Sequence, residues 1–340
     1  MSPAALQVIQ GGPSLSVQDL GRPGYRAQGL TTAGAMDTLA LYEGAALLGQ
    51  SATLAAIEMA GSGGVFQASQ DIRIALTGAV MAAQIDGAAI AWNASHQLPA
   101  GTKLSIGGAR SGSYGYLHLG GGIDTAPVMG ARATHLRAGI GQALQSGDHL
   151  PIGTDKGRDT GLGLPLDTRF QGGKLRCVAS MQTDSFTSDV LERFSKTEFR
   201  RDRRANRMGI RMDHDGAGFS TSDALSIVSE VTVPGDIQLT GDGAPFVLMC
   251  ECQTTGGYPR IGTVIPCDLP RIAQAPAGAA ITFEFVEIEA AIESERRYRD
   301  MLKALPGSVF PLVRNPADIP DLLGYQLVDG AVSAGADPFK

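Results

Sequence analysis

Ala280-Ile281-Thr282-Phe283-Glu284-Phe285 alternates apolar and polar residues with a period of two, and that alternation decides the fold. Successive side chains of a strand point to opposite faces, so Ile281, Phe283 and Phe285 share one face and Thr282 and Glu284 the other. Ile72-Arg73-Ile74-Ala75-Leu76 and Lys103-Leu104-Ser105-Ile106 repeat the pattern. Gly and Pro interrupt these runs every several residues, which points to barrels or sandwiches rather than a parallel sheet. The chain reads as mainly β with a few short helices.

A Pro-Ala-Gly turn opens two of these strands, in Leu98-Pro99-Ala100-Gly101-Thr102-Lys103-Leu104 and again in Ala275-Pro276-Ala277-Gly278-Ala279-Ala280-Ile281. Gln84-Ile85-Asp86-Gly87-Ala88-Ala89-Ile90 has a looser echo in Leu239-Thr240-Gly241-Asp242-Gly243-Ala244-Pro245-Phe246. The repeats predict two related β-domains, residues 1–165 and 166–340, joined in the Gly- and Asp-rich stretch from Gly153 to Asp167. Helical spacing marks Asp37 to Leu48, stopped by Gly49, then Asp184 to Phe194, and Ile288 to Leu302 with Ile292 and Leu302 as apolar anchors over the second domain.

At 340 residues the chain exceeds the usual size of one core, which agrees with two domains. Only 18% of its residues are charged, against roughly 25% in typical soluble proteins, so part of its surface is expected to face another protein. The net charge of −6 argues against a nucleic-acid binder. No run approaches the ~20 apolar residues of a membrane span. The amino-terminal residues lack a basic segment followed by an apolar core, and four irregularly spaced cysteines make no disulfide framework. A cytoplasmic location is expected.

Three segments concentrate groups able to do chemistry. Ser16-Val17-Gln18-Asp19-Leu20-Gly21-Arg22-Pro23-Gly24-Tyr25, continuing to Gly34-Ala35-Met36-Asp37, forms a stiff loop with exposed backbone N–H groups. Such a loop can hold an anion with Arg22 as a bidentate partner, or it can be a turn in which Arg22 pairs with Asp19, the commoner role of Gly-Pro loops. Arg200 to Arg211 holds six arginines, of which Arg203 and Arg207 would face one site if the segment were helical. Glu251-Cys252-Gln253-Thr254-Thr255-Gly256-Gly257-Tyr258-Pro259 follows a strand from Phe246 to Cys250 and gathers amide and hydroxyl groups beside two glycines. That turn serves either a ligand or an internal polar network. Gly120-Gly121-Gly122 ends another strand and offers backbone flexibility.

Other chemistries are not written in the sequence. There is no G-x-x-x-x-G-K-[ST], no H-E-x-x-H and no zinc spacing around Cys250, Cys252 and Cys267, whose thiols read as small buried apolar groups. No Met-Lys-Met is present, so no covalent biotin is expected on this chain.

Taken together, Ser16 to Gly24, Ala33-Gly34-Ala35-Met36-Asp37, Gly120-Gly121-Gly122-Ile123, Asn206-Arg207-Met208-Gly209, Ser229-Glu230, Pro234-Gly235-Asp236-Ile237-Gln238 and Gln253 to Pro259 resemble the Kip-type A family. That family is also known as the C-type component of 5-oxoprolinase, as allophanate hydrolase subunit 2, or as the biotin-dependent carboxyltransferase family. The chain departs from it at Glu251 (usually Asp), at Ala131-Arg132-Ala133-Thr134 (often Ser-Arg-Ser-Thr) and at Val231 (usually Gly). The resemblance implies two tandem cyclophilin-like β-barrel domains and a partner of the Kip-type I kind, the B-type component of 5-oxoprolinase. With a third protein, an A-type amidohydrolase, such pairs hydrolyse 5-oxo-L-proline to L-glutamate using ATP, held by the complex rather than necessarily by this chain. Related domains in urea carboxylase move a carboxyl group from carboxybiotin to urea. A non-catalytic role, binding and restraining the Kip-type I partner, is the third alternative.

For lactam opening, Arg22 and Arg207 are expected to anchor anions, Gln253, Thr254 and Thr255 to orient the substrate, and Asp37 or Glu230 to act as a carboxylate base. Asp37, Glu230 and Arg207 are the expected catalytic residues. Gln18, Asp19, Gly24, Met36, Arg203, Asn206, Gly256, Gly257 and Tyr258 are expected to line the same site.

Overall fold

A computed structural model of the chain describes residues 4–221 and 229–313, so the tail of the expected second domain lies outside the described residues. The architecture is mainly β, with four α-helices among the described residues. Strands from Ala5 to Gly163 form an eleven-stranded sheet, completed by Phe310–Pro311, and strands from Gly173 to Phe285 close a seven-stranded barrel.

The first sheet is built on two long strands, Ile72–Ile85 and Lys103–Leu119, paired antiparallel from Ile74↔Leu119 to Ile85↔Leu104 with register shifts between Gly78 and Ala83. The far edge of Lys103–Leu119 is shared. Val65–Ala68 pairs with its first part, and Ala56–Ala60 with its last, where Glu58 stands opposite Tyr116. Isolated bridges Ala55↔Ile123 and Ile123↔Ile152 link this region back toward the opposite edge of the sheet.

The barrel closes where Gly173–Val178 runs parallel to Ala280–Phe285, Gly173 opposite Ile281 and Cys177 opposite Phe285. The alternation of Ala280–Phe285 is used as expected: Ile281 and Phe283 are buried, and the Phe283 ring stacks 5.1 Å from Phe194. Both Pro-Ala-Gly turns are alike, with Gly101 at φ +74 and Gly278 at φ +82, a left-handed backbone that glycine adopts without penalty. Phe310–Pro311 leaves the barrel and pairs with Leu162–Gly163 of the first sheet.

Helix α1, Thr38–Leu48, is capped by Asp37, whose Oδ1 accepts from Ala40 N at 3.3 Å, and ends at Gly49 in the left-handed region. It is buried on nearly all sides and lies so close to the sheet that a Cβ at Gly44 would stand 2.3 Å from the His118 ring. Helix α2, Ser188–Lys196, starts later than its spacing predicts, because Phe186 is extended (φ −98, ψ 140) and separates it from the 3-10 turn Thr183–Ser185. Helix α3 is Leu269–Gln274. Helix α4, Ile288–Ala304, lies against the barrel with Ala291 and Ser294, and Ile292 is 46% exposed rather than an anchor. None of the described helices is long and apolar enough to cross a membrane.

The largest cluster of buried apolar residues runs through both sheets. Met36, Leu41 and Tyr116 of the first pack in one continuous core with Ile272, Ile281 and Phe283 around the second. This shared core fixes the two sheets against each other and holds the cleft between them in shape.

Candidate functional site

Arg207 lies on the wall of that cleft. The six-arginine segment is a β-hairpin, Phe199–Asn206 against Gly209–Asp213, and not a helix. Arg207 therefore occupies the hairpin turn, while Arg203 is exposed on the strand; the two do not share a site. Asn206 Oδ1 accepts from Met208 N at 2.8 Å and fixes the turn.

Three acceptors from both sheets hold the guanidinium. Nε donates to Glu251 Oε1 at 2.5 Å, Nη1 to Glu58 Oε1, and Nη2 to Gly34 O at 2.6 Å. Burial opposes the charge on Arg207, but the Glu58 and Glu251 carboxylates in contact with it win and hold its pKa well above the ordinary value. Glu58 is positioned in turn: its Oε2 accepts from Met36 N and from the Tyr116 hydroxyl, each at 2.7 Å. An arginine has five N–H donors, so two remain beyond the three used here. Arg207, Glu58 and Glu251 also line a cavity of about 480 Å³ with Tyr114, Leu136, Arg137, Asn206 and Met208.

A histidine lies behind Glu251. His135, buried, places Nδ1 3.7 Å from Glu251 Oε2 and Nε2 3.0 Å from Thr31 Oγ1. Burial lowers the His135 pKa, aided by Arg22 and Arg207 and opposed by Glu251. The Cys250 thiol lies 3.4 Å from Met36 Sδ and is pushed up to about 12 by burial, so it is a neutral packing group and not a nucleophile.

Asp37 does not reach the cleft. It is wholly buried, its Oδ2 accepting from Arg169 Nε at 2.8 Å and from Gln274 Nε2 at 2.7 Å, while its Oδ1 caps α1. A carboxylate so enclosed cannot take a proton from a ligand, so its role is structural. Glu230 is likewise engaged, by Arg260 Nη2 and by Gln182 Nε2 at 3.0 Å, in the small sheet that pairs Glu230–Val231 with Thr255–Gly256.

The glycine-rich loops meet without pooling their side chains. Ala33 N donates to Cys250 O at 3.2 Å and Arg26 Nη1 to Thr232 O, which joins the two segments. Gln18 and Asp19 are buried: Gln18 Nε2 donates to Thr134 O, and Asp19 accepts from the backbone of Gly21 and Arg132. Arg22 is 1% exposed and lines a separate cavity of about 270 Å³, donating to the carbonyls of Ala133 and Val128 rather than to Asp19. Gly24 is exposed at φ +98, and Met36 contributes its backbone N–H. Gln253 donates to Gln238 Oε1 at 3.0 Å, and the Thr254 carbonyl accepts from Thr232 N. Thr255 and Gly256 form strand pairs, Gly257 is exposed, and Tyr258 lines a third cavity of about 450 Å³. This turn is mostly an internal polar network.

Sequence reasoning passes over Glu58, Tyr116 and Arg137. A signal for Glu58 is present: Ala56-Ile57-Glu58-Met59-Ala60 carries one charge inside an apolar run, and a charge there needs a partner.

The carboxyltransferase domain, subdomains A and B, matches residues 28–285 as a family pattern. The chain is 33% identical over 304 residues to the C-type subunit of 5-oxoprolinase from Escherichia coli, covering 87% of this chain and 97% of that protein. The crystal structure of TTHA0988 superposes with a TM-score of 0.75 at 28% identity, over 83% of this chain but only 56% of that one. Kluyveromyces lactis urea carboxylase gives a TM-score of 0.80 at 22% identity over 93% of this chain and 31% of that one, a likeness of fold alone.

Proposed function

The chain belongs to the family of carboxyltransferase domains, subdomains A and B, and from that membership we propose that it is the C-type subunit of an ATP-dependent 5-oxoprolinase. It works with a B-type and an A-type partner to open 5-oxo-L-proline to L-glutamate. The observation that carries this reading is Arg207 held between Glu58 and Glu251 on the wall of a cleft between two sheets.

The charges around Arg207 define what can bind there. Two carboxylates already outweigh one guanidinium, so that end of the cleft favours a neutral polar group over an anion. A lactam suits it: the amide oxygen accepts from the two remaining N–H groups of Arg207, and the amide N–H donates toward Glu58 or Glu251. Polarising the carbonyl in this way lowers the barrier to attack on it, provided the donors are fixed beforehand. Met36 N–H, Tyr116 and Gly34 O fix them here.

A nucleoside triphosphate does not fit this end of the cleft, because its phosphates would face Glu58 and Glu251 with a guanidinium already neutralised. ATP is therefore assigned to a partner protein. A ureido ring is also neutral, so the same donors favour carboxyl transfer from carboxybiotin as a second reading.

The test is to co-purify the chain with its B-type and A-type partners and assay ATP-dependent glutamate formation from 5-oxo-L-proline, beside ureas and acyclic amides. Glutamate formation that requires all three chains is expected. Turnover of ureas with a biotin carrier, and none of the lactam, would replace this reading with the second.

A further inference from the structure

We infer that Arg137 selects the substrate class of the cleft by binding a ligand carboxylate while the ligand's neutral amide end lies against Arg207; this rests on the lactam reading above.

The two arginines on the cleft wall differ in their partners. Arg207 faces two carboxylates and a carbonyl. Arg137 is exposed, and its Nη1 meets the Met208 sulfur, a weak acceptor. Among the described residues no carboxylate lies within salt-bridge distance of it. Its charge has no ion-pair partner among the described residues, and its planar fork matches a carboxylate bidentately.

The backbone that carries Arg137 is fixed relative to Arg207. Leu136–Ala138 is a 3-10 turn closed by His135 N to Ile140 O at 2.8 Å, Ile140 N to His135 O at 3.2 Å and Ala138 N to His135 O at 3.1 Å. His135 is buried beside Glu251, the residue that holds Arg207. His135 thus lies between the two, its backbone closing the turn that carries Arg137 and its ring beside Glu251. Glu58 and Glu251 would otherwise repel an anionic ligand, and Arg137 is the group on the wall that offsets them. A small amide that bears its own carboxylate gains from both ends, whereas a urea, which has none, gains from Arg207 alone.

Arg137→Gln and Arg137→Lys, in the reconstituted three-protein complex, test this with 5-oxo-L-proline as substrate and 2-pyrrolidinone, the same ring without the carboxylate, as competitor. Loss of one charged, hydrogen-bonded contact should raise KM for 5-oxo-L-proline about 10- to 100-fold in Arg137→Gln, with kcat little changed. The inhibition constant of 2-pyrrolidinone should not move, and Arg137→Lys should recover part of the loss. An unaltered KM in Arg137→Gln, with the wild-type complex active, overturns the role of Arg137 and leaves the lactam reading standing. A wild-type complex that turns over no lactam overturns both.

Discussion

Two arginines, the buried Arg169 and the half-buried Arg207, gather carboxylates near the junction of the two sheets, and they are made from the same parts for different ends. Arg169 donates to Asp37, to both oxygens of Glu43 and to Asp167, using four of its five N–H groups, and it lines none of the cavities at Arg22, Arg207 or Tyr258. Arg207 uses three, keeps two, and lines the cleft. The lesson is that charge and burial do not separate a structural cluster from a site. The count of unused donors and their access to a cavity do. A single hydroxyl connects the clusters, because Tyr116 accepts from Asp37 N at 2.8 Å and donates to Glu58.

The comparison breaks first at Arg169. Arg169→Ala leaves Asp37 and Glu43 buried without their cation, and a loss of about 3–5 kcal/mol is expected in denaturant unfolding. Arg207→Ala should lose less stability, since Glu58 and Glu251 can take up water from the cleft. Equal losses would erase the distinction. Tyr116→Phe cuts the link, and a destabilisation of about 1–2 kcal/mol is expected, together with a lower kcat as Glu58 loses a donor. An unchanged kcat would mean that Glu58 keeps its place without Tyr116.

The smallest effect concerns pH. Burial pushes the Glu43 carboxyl from its ordinary 4.5 up to about 7, against the pull of Arg169. Between those values the folded chain binds a proton that the unfolded chain has released. The contribution to stability is therefore complete below pH 4.5 and fades as pH rises through 7. Glu43→Gln should flatten that part of a plot of Tm against pH. A slope unaltered by the substitution would place its origin elsewhere.

Much of the fold is legible in the sequence because local rules act alone there. Asp37 and Gly49 bracket α1 as a cap and a left-handed stop, and Ala280–Phe285 buries Ile281 and Phe283 as its alternation predicts. The site is less legible, because its meaning lies in partners far apart in sequence. Spacing points to Arg207, but couples it with Arg203 on a helix that the hairpin replaces. Asp37 reads as an available carboxylate until Arg169 and Gln274, 132 and 237 residues away, enclose it. The polar groups of Gln253-Thr254-Thr255 invite a ligand, yet the turn bonds largely within the barrel. Glu58 and Arg137 gain meaning only once strand pairing and the 3-10 turn bring them to one cavity.

The most direct measurement is kcat/KM for 5-oxo-L-proline in the reconstituted complex carrying Arg207→Lys, with Tm measured in parallel. Lysine keeps the charge between Glu58 and Glu251 but loses the planar fork and its two spare N–H groups. A fall of about 100-fold or more in kcat/KM, with Tm within a few degrees of wild type, is predicted. Retention of full activity would contradict the assignment of the cleft around Arg207 as the site.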